Sequence, residues 1–232
     1  MDKKKIAGEK AAEIIKDGMT VGLGTGSTAK YLVDKVGEMV KDGLNIRAVA
    51  TSKATENQAR ELGIPLIDVN DVDYIDIAID GVDEIDRDFN ATKGGGGALF
   101  REKIVASLAK EVIWIMDDSK LVESIGNFPL PVEILPYGYK VTINRLEALG
   151  YNPVMRMKEN ELYVTDNGNY IADLHIGAPA DVDDIKHKLD NTVGVLETGQ
   201  FLKMCSRIVV GTDDGAKVYD STTIKQNHDY FI

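Results

Sequence analysis

The chain has 232 residues, 44% hydrophobic and 28% charged, which is enough apolar material for a sizeable core and too little charge bias for a disordered chain. Lysine and arginine (27) against aspartate and glutamate (38) leave a net charge of −11, a field that repels nucleic-acid backbones. A single cysteine, Cys205, excludes a disulfide framework and a thiolate metal site, and no apolar run approaches the ~18 residues of a membrane span. The expectation is a cytoplasmic protein with neither a nucleic acid nor a membrane as partner.

Residues 3–17 (KKKIAGEKAAEIIKD) carry helical spacing, with Ile6, Ala11, Ile14 and Ile15 on one side and Gly18 in a C-cap position. The lysines at 3–5 read as a solvated face. MTVGLGTGST reads as a buried strand breaking into a glycine turn, and helical spacing resumes over 29–40. The pattern then repeats as IRAVAT (strand), KATENQARELG (helix), PLIDV (strand) and YIDIAIDGVDEID (strand into loop). A helix over 98–110 and the strand EVIWIMDD follow. Alternation of this kind predicts βαβ units, an α/β fold with a mostly parallel, Rossmann-like sheet and helices on both faces.

Around 127–136 the texture changes, since NFPLPVEILP holds three of the six prolines. VTINRLEALG reads as a helix, PVMRMK and ELYVTDNGNYIADLHI as strands, with Asn167-Gly168 as a hairpin turn between strands. A helix over 181–190 and a strand near 195–202 complete an α+β segment. IVVGTDDGAKVYD then reads as a return to the first sheet. The expected organisation is a catalytic domain of residues 1–127 with 206–232, and a smaller inserted α+β domain of residues 128–205.

Three unusual segments fall at the carboxyl ends of strands, where open parallel sheets bind ligands: GLGTGSTA (22–29), DGVDEID (80–86) and KGGGGALFREK (93–103). In the first, a glycine turn opening a helix offers backbone N–H groups to an anion, and Ser27 and Thr28 add hydroxyls. Gly24-x-Gly26-x-x-Ala29 also fits the loose dinucleotide fingerprint, but VATSKAT lacks the acid expected ~20 residues on to hold a ribose. A small phosphate ester or sugar fits better; a tight turn without a ligand is the plain alternative.

In DGVDEID, Asp80 and Asp83 follow a very apolar strand and need partners such as sugar hydroxyls or a cation. Glu84, Asp86 and Asp88 read as solvated. The histidines (175, 187, 228) show no ligand spacing, so neither a metal nor any other cofactor is expected. Four successive glycines after Lys93 expose N–H groups that can cradle an oxyanion. Glu102, four residues beyond Ala98, falls on an inward face of the following helix, where desolvation raises a carboxylate's pKa and suits it to general-base work. The helix N-terminus and Lys93 pull the other way, and a salt bridge to a nearby lysine is the plain alternative. This inventory suits proton abstraction beside a carbonyl, with the resulting enediolate held by donors and a lysine.

GTGSTA, DGVDEID and KGGGGALFREKIVA, in this order, closely resemble the type A ribose-5-phosphate isomerases. The likeness continues through DDSKLVESIGNFPLPVEILP and VTDNGNYIADLHI to IVVGTDDG, nearly the whole chain. It implies metal-free interconversion of ribose 5-phosphate and ribulose 5-phosphate through an enediolate, a step of the non-oxidative pentose phosphate pathway. By the same likeness Glu102 would be the base, and Asp80, Asp83 and Lys93 would line the sugar and assist ring opening. Thr25, Gly26, Ser27, Thr28 and Lys120 would bind the substrate's polar parts, with Gly81, Gly94, Gly95 and Gly96 as backbone contacts. Family members are usually homodimers or homotetramers. TGQFLKMCS (198–206) and the polar end YDSTTIKQNHDYFI (219–232) depart from the family pattern, away from the catalytic motifs. A sugar-phosphate sensor and a coenzyme A transferase, whose glutamate is a nucleophile, are the competing readings on this fold.

Overall fold

A computed structural model describes residues 2–221 of the chain. Its first half runs α1 (Lys3–Ala12), β1 (Thr20–Leu23), α2 (Ser27–Lys41), β2 (Arg47–Ala50), α3 (Lys53–Glu61) and β3 (Ile75–Gly81). The short strands β4 (Glu84–Ile85) and β5 (Ala91–Thr92), α4 (Leu99–Leu108), β6 (Ala109–Asp117) and β7 (Leu130–Ile134) follow. Next come α5 (Tyr139–Ala148), β8 (Pro153–Met155), β9 (Met157–Lys158), β10 (Glu161–Leu162) and β11 (Tyr170–Leu174). The chain closes with α6 (Val182–Asp190), β12 (Val195–Thr198), β13 (Gln200–Phe201), β14 (Arg207–Thr212) and β15 (Gly215–Asp220).

The main sheet has the order β15-β14-β6-β3-β1-β2, parallel except for β15, which forms an antiparallel hairpin with β14. Alternating side chains of its central strands feed two cores. Ile77, Ile79, Ile113 and Ile115 pack under α1, α2 and α3, while Val112, Trp114 and Met116 face β4, β5 and β13. α4 packs on that second face through Val105 against Ile75 and Ala78. From β1 the chain first moves outward to β2, then returns to place β3 on β1's other side. That reversal opens a crevice beyond the carboxyl ends of β1 and β3, where GLGTGSTA and DGVDEID begin.

A second, four-stranded antiparallel sheet, β12-β7-β11-β8, has its own core around Val132, Ile134, Ala172 and Leu174, with α5 and α6 packed on it. The α/β architecture is as expected from the sequence.

Several local expectations differ. α1 stops at Ala12 rather than near Gly18, because the chain turns there to bury Ile15. Its buried face is Ala7, Gly8, Ala11 and Ala12 rather than the isoleucine stripe. Small residues win because α1 crosses α2 closely, and a Cβ on Gly8 would lie 2.8 Å from the Leu32 nitrogen. PLIDV contributes only an isolated bridge between Leu66 and Ala48. Asn167-Gly168 does form a turn, closed by the Thr165 N–H donating to the Asn169 carbonyl at 2.8 Å. It does not close a strand hairpin, because β11 pairs with β7 and β8 while β10 pairs with β9. The chain rejoins the first layer already at Gln200, where β13 pairs with β5. Residues 222–232 of the polar C-terminal segment lie outside the described residues.

Candidate active site

β5 delivers Lys93 directly from its end, and the Lys93 N–H donates to the Gly199 carbonyl at 2.8 Å. The side chain then runs inward, 2% exposed, with its ammonium 5.2 Å from the ring centre of Trp114 and 5.4 Å from that of Phe201. Such a buried cation needs anionic partners. Asp80 Oδ2 lies 3.1 Å from Lys93 Nζ and Glu102 Oε1 3.5 Å, while the carbonyl of Gly81 also accepts from the ammonium. Asp80 is fixed in turn by the N–H groups of Thr25 (2.9 Å) and Gly81 (2.7 Å).

Two carboxylates thus share one buried ammonium. Burial pushes the Glu102 carboxyl up to about 8, with the neighbouring Asp80 charge adding to the rise and Lys93 opposing it. Burial likewise raises Asp80. For Lys93 burial works against the charge, but Asp80, Glu102 and Asp83 outweigh it and hold the ammonium above its ordinary range. The competition left open by the sequence is therefore won by desolvation, although Glu102 sits in the first turn of α4. Its Oε2 is buried and finds no hydrogen-bond partner among the described residues.

That glutamate opens on a cavity of about 220 Å³, below the ~300–1,000 Å³ typical of sites for drug-sized ligands. Thr25, Gly26, Ser27 and Thr28 line one part of it, Gly81, Asp83, Gly94, Gly95 and Gly96 another, and Lys93, Glu102 and Lys120 complete it. Asp80 alone among the expected residues does not line the cavity; it stands behind Lys93. Thr25 contributes differently from expectation. Its hydroxyl is taken up by those of Thr51 (2.7 Å), Ser52 (2.8 Å) and Thr55 (3.1 Å), so only the rest of the residue faces the cavity.

The glycines have separate reasons. Gly94 has φ +103°, which disfavours any side chain. At Gly95 a Cβ would lie 2.6 Å from Asp83 Oδ1, because the Gly95 N–H donates to that carboxylate at 2.7 Å. At the other end, α2 begins at Ser27 without a side-chain cap, leaving its first N–H groups to an anion.

Sequence reasoning missed three features. Lys4 lines the cavity, with its ammonium 3.1 Å from Ser27 Oγ, so the lysine run is not merely a solvated face. Lys3 pairs with Asp118 and Asp213, both at 3.0 Å. Helical phase relative to α2 would have been needed to see this. Glu84 and Asp86, expected to be solvated, are buried: Glu84 accepts from the N–H groups of Gly126 (2.9 Å) and Phe128 (2.7 Å), and Asp86 from that of Asn90 (2.9 Å). Both carboxylates serve loop backbone, which a linear pattern does not reveal; Asp88 is exposed as expected. Arg156, in the strand-like PVMRMK, reaches the glycine loop and donates to the carbonyls of Gly94 (2.7 Å) and Gly95 (3.1 Å).

A larger cleft of about 430 Å³ lies between α3, α4 and residues 66–70, but none of the unpartnered buried polar atoms lines it. Cys205 packs against an apolar cluster, where burial pushes its thiol up to about 12. No group of three or more His, Cys, Asp and Glu side chains suited to a metal occurs among the described residues. No helix there is long and apolar enough to cross a membrane.

Residues 47–215 match the family described as ribose 5-phosphate isomerase A (phosphoriboisomerase A). The ribose-5-phosphate isomerase A of Enterococcus faecalis is 50% identical over 94% of this chain and 97% of its own length. That of Limosilactobacillus reuteri is 49% identical over 93% and 96%. Among solved structures, the ribose 5-phosphate isomerase A of Methanocaldococcus jannaschii aligns with a TM-score of 0.88 at 36% identity, over 94% of this chain and 98% of that one. A D-ribose-5-phosphate isomerase in complex with phospho-erythronic acid aligns with a TM-score of 0.89 at 36% identity, with the same coverage. With identity of this order running almost end to end, and the three glycine- and acid-rich loops meeting at one cavity, the chain belongs to the ribose 5-phosphate isomerase A family.

Proposed function

We propose that this member of the family interconverts D-ribose 5-phosphate and D-ribulose 5-phosphate through an enediolate, with Glu102 as the general base. The observation that carries the assignment is the unpartnered Glu102 Oε2, buried yet on a residue that lines the cavity, on a carboxyl raised to about 8. From the open-chain aldose, the Glu102 carboxylate takes the proton on C2, and the C–H electrons move to make the 1,2-enediolate with charge on O1. The Lys93 ammonium and the glycine-loop N–H groups stabilise that charge where it develops. Glu102 returns its proton to C1, and transfer of the O2 proton to O1 leaves the ketone at C2.

Asp80 acts as a positioning residue that holds Lys93, and Asp83 meets sugar hydroxyls. The uncapped start of α2, with Ser27, Thr28, Lys4 and Lys120, suits the phosphate. The relative solved with phospho-erythronic acid takes a ligand with a carboxylate at one end and a phosphate at the other, which supports a sugar-phosphate substrate for this cavity. We also infer a second domain within residues 128–205, supported by the separate sheet and core of residues 130–198, while Gln200 and Phe201 pair back with β5. A cytoplasmic location accords with the metabolic chemistry of the relatives. Assembly into a homodimer or homotetramer is supported by apolar side chains left exposed on the second layer, Tyr137 at 96% and Val193 at 74%.

The test is conversion of ribose 5-phosphate in excess EDTA by the wild type beside Glu102→Gln. Metal-free turnover that falls by at least about 10³-fold in kcat in the variant, with KM nearly unchanged, is expected, since only the proton transfer is removed. Turnover in both proteins would keep the reaction and discard the base. A wild type that binds the sugar without converting it would overturn the reading altogether.

A further inference from the structure

The glycine loop is held from outside the first layer. Arg156 lies between β8 and β9, and its guanidinium is anchored by Asp173 of β11, with Nε 2.9 Å from Oδ2 and Nη2 on Oδ1. From that anchor Nη1 donates to two successive carbonyls, Gly94 at 2.7 Å and Gly95 at 3.1 Å. Tyr163, whose N–H donates to the Arg156 carbonyl at 2.9 Å, places its hydroxyl 3.4 Å from the next carbonyl, Gly96. Three consecutive carbonyls of the loop therefore turn toward the second layer.

A trans peptide is planar, so its N–H points opposite to its C=O. Fixing the Gly94 carbonyl on Arg156 directs the Gly95 N–H the other way, where it meets Asp83 Oδ2 at 2.7 Å. Fixing the Gly95 carbonyl directs the Gly96 N–H away from Arg156, and that N–H has no partner among the described residues. Gly94, Gly95 and Gly96 line the cavity, whereas Arg156 does not. A glycine tripeptide has no side chains to select one orientation of its peptide planes. A cation on the carbonyl side also polarises each peptide and strengthens its N–H as a donor.

We propose that Arg156, anchored by Asp173, is a positioning residue for the isomerisation: it sets the peptide planes of Gly94–Gly96 so that one N–H holds Asp83 and the next faces the substrate's developing oxyanion. The second layer is thereby part of the catalytic device. The inference rests on the reading of the loop as an oxyanion cradle and is independent of which group is the base.

The experiment compares wild type, Arg156→Ala, Arg156→Lys, Asp173→Asn and Arg101→Ala for kcat and KM with ribose 5-phosphate, inhibition by phospho-erythronic acid, and melting temperature. Arg101 is the control, because its guanidinium joins α4 to the same second layer through Asn167 Oδ1 (2.8 Å) and the Asp166 carbonyl (3.3 Å) without touching the glycine loop. Loss of an aimed donor lowers kcat by about 10–100-fold in Arg156→Ala, with KM within about threefold. Phospho-erythronic acid binds more weakly in Arg156→Ala by more than the change in KM. Arg156→Lys recovers only part of kcat, since an ammonium does not hold Asp173 and both carbonyls in one plane. Asp173→Asn shows a smaller loss of the same kind and serves if Arg156→Ala does not fold.

An unchanged kcat in Arg156→Ala with only a lower melting temperature would overturn the proposal. So would an equal kcat loss in Arg101→Ala, which would make any contact between the layers sufficient. If Glu102→Gln proves active, the base assignment fails while the Arg156 comparison stays readable on the remaining turnover.

Discussion

Replacing Gly95 by alanine adds one methyl group at the point where the loop and Asp83 meet. The new Cβ would lie 2.6 Å from Asp83 Oδ1 and 3.1 Å from both Cγ and Oδ2. Ordinary contact begins near 3.4 Å, so something must give by about 0.8 Å. The loop is tied back by Arg156 through the Gly94 and Gly95 carbonyls, so Asp83 is the part that moves. Its movement stretches the 2.7 Å bond from the Gly95 N–H. A hydrogen bond to a charged group contributes about 1.5–3 kcal/mol, and partial exposure of Asp83 places the loss near the lower end, about 1–2 kcal/mol. That corresponds to a melting temperature lower by about 2–8 °C in a chain of this size. Catalysis suffers more, because misplacing a group by ~1 Å costs on the order of 10²-fold. Steady-state kinetics and a thermal melt of Gly95→Ala, beside Gly96→Ala, measure both. A Cβ at Gly96 would have Thr25 Cγ2 at 3.9 Å as its nearest neighbour, so its melting temperature stays at the wild-type value. A Gly95→Ala enzyme with kcat/KM within threefold of wild type would mean that the contact between Gly95 and Asp83 does not position the site.

The acid limb of kcat/KM should fall near pH 8, activity rising as Glu102 loses its proton. Asp80→Asn removes a negative charge that raises Glu102, so the limb moves to lower pH; a limb that stays in place would mean another group titrates. Lys4→Ala and Lys120→Ala should raise KM about 5–50-fold with kcat within threefold, measured by initial rates at constant ionic strength, because both line the cavity where the proposed reading puts the unreactive phosphate end. Glu84→Ala leaves the N–H groups of Gly126 and Phe128 without an acceptor and should lower stability by about 2–4 kcal/mol in denaturant titration.

Much of this was legible in the residues because it depends on local chemistry. Strand and helix periods gave the α/β class, and glycines beside carboxylates at strand ends marked the site. All of the expected residues except Asp80 line one cavity. Boundaries failed where a partner decides them, as at α1, whose small face answers to α2. The hairpin expected at Asn167-Gly168 failed for the same reason: the turn is local, but β11 takes its partners from β7 and β8.

The fold class, the three loops and the residue types able to move a proton follow from spacing and functional groups along the chain. The rise of the Glu102 carboxyl comes from packing, because its burial and the charges of Asp80 and Lys93 are supplied by segments distant in sequence. Packing alone placed Asp80 against the Lys93 ammonium, brought Lys4 beside Ser27, and set Arg156 against the glycine carbonyls. Each is a long-range relation, fixed by how elements pack, and no linear spacing encodes it.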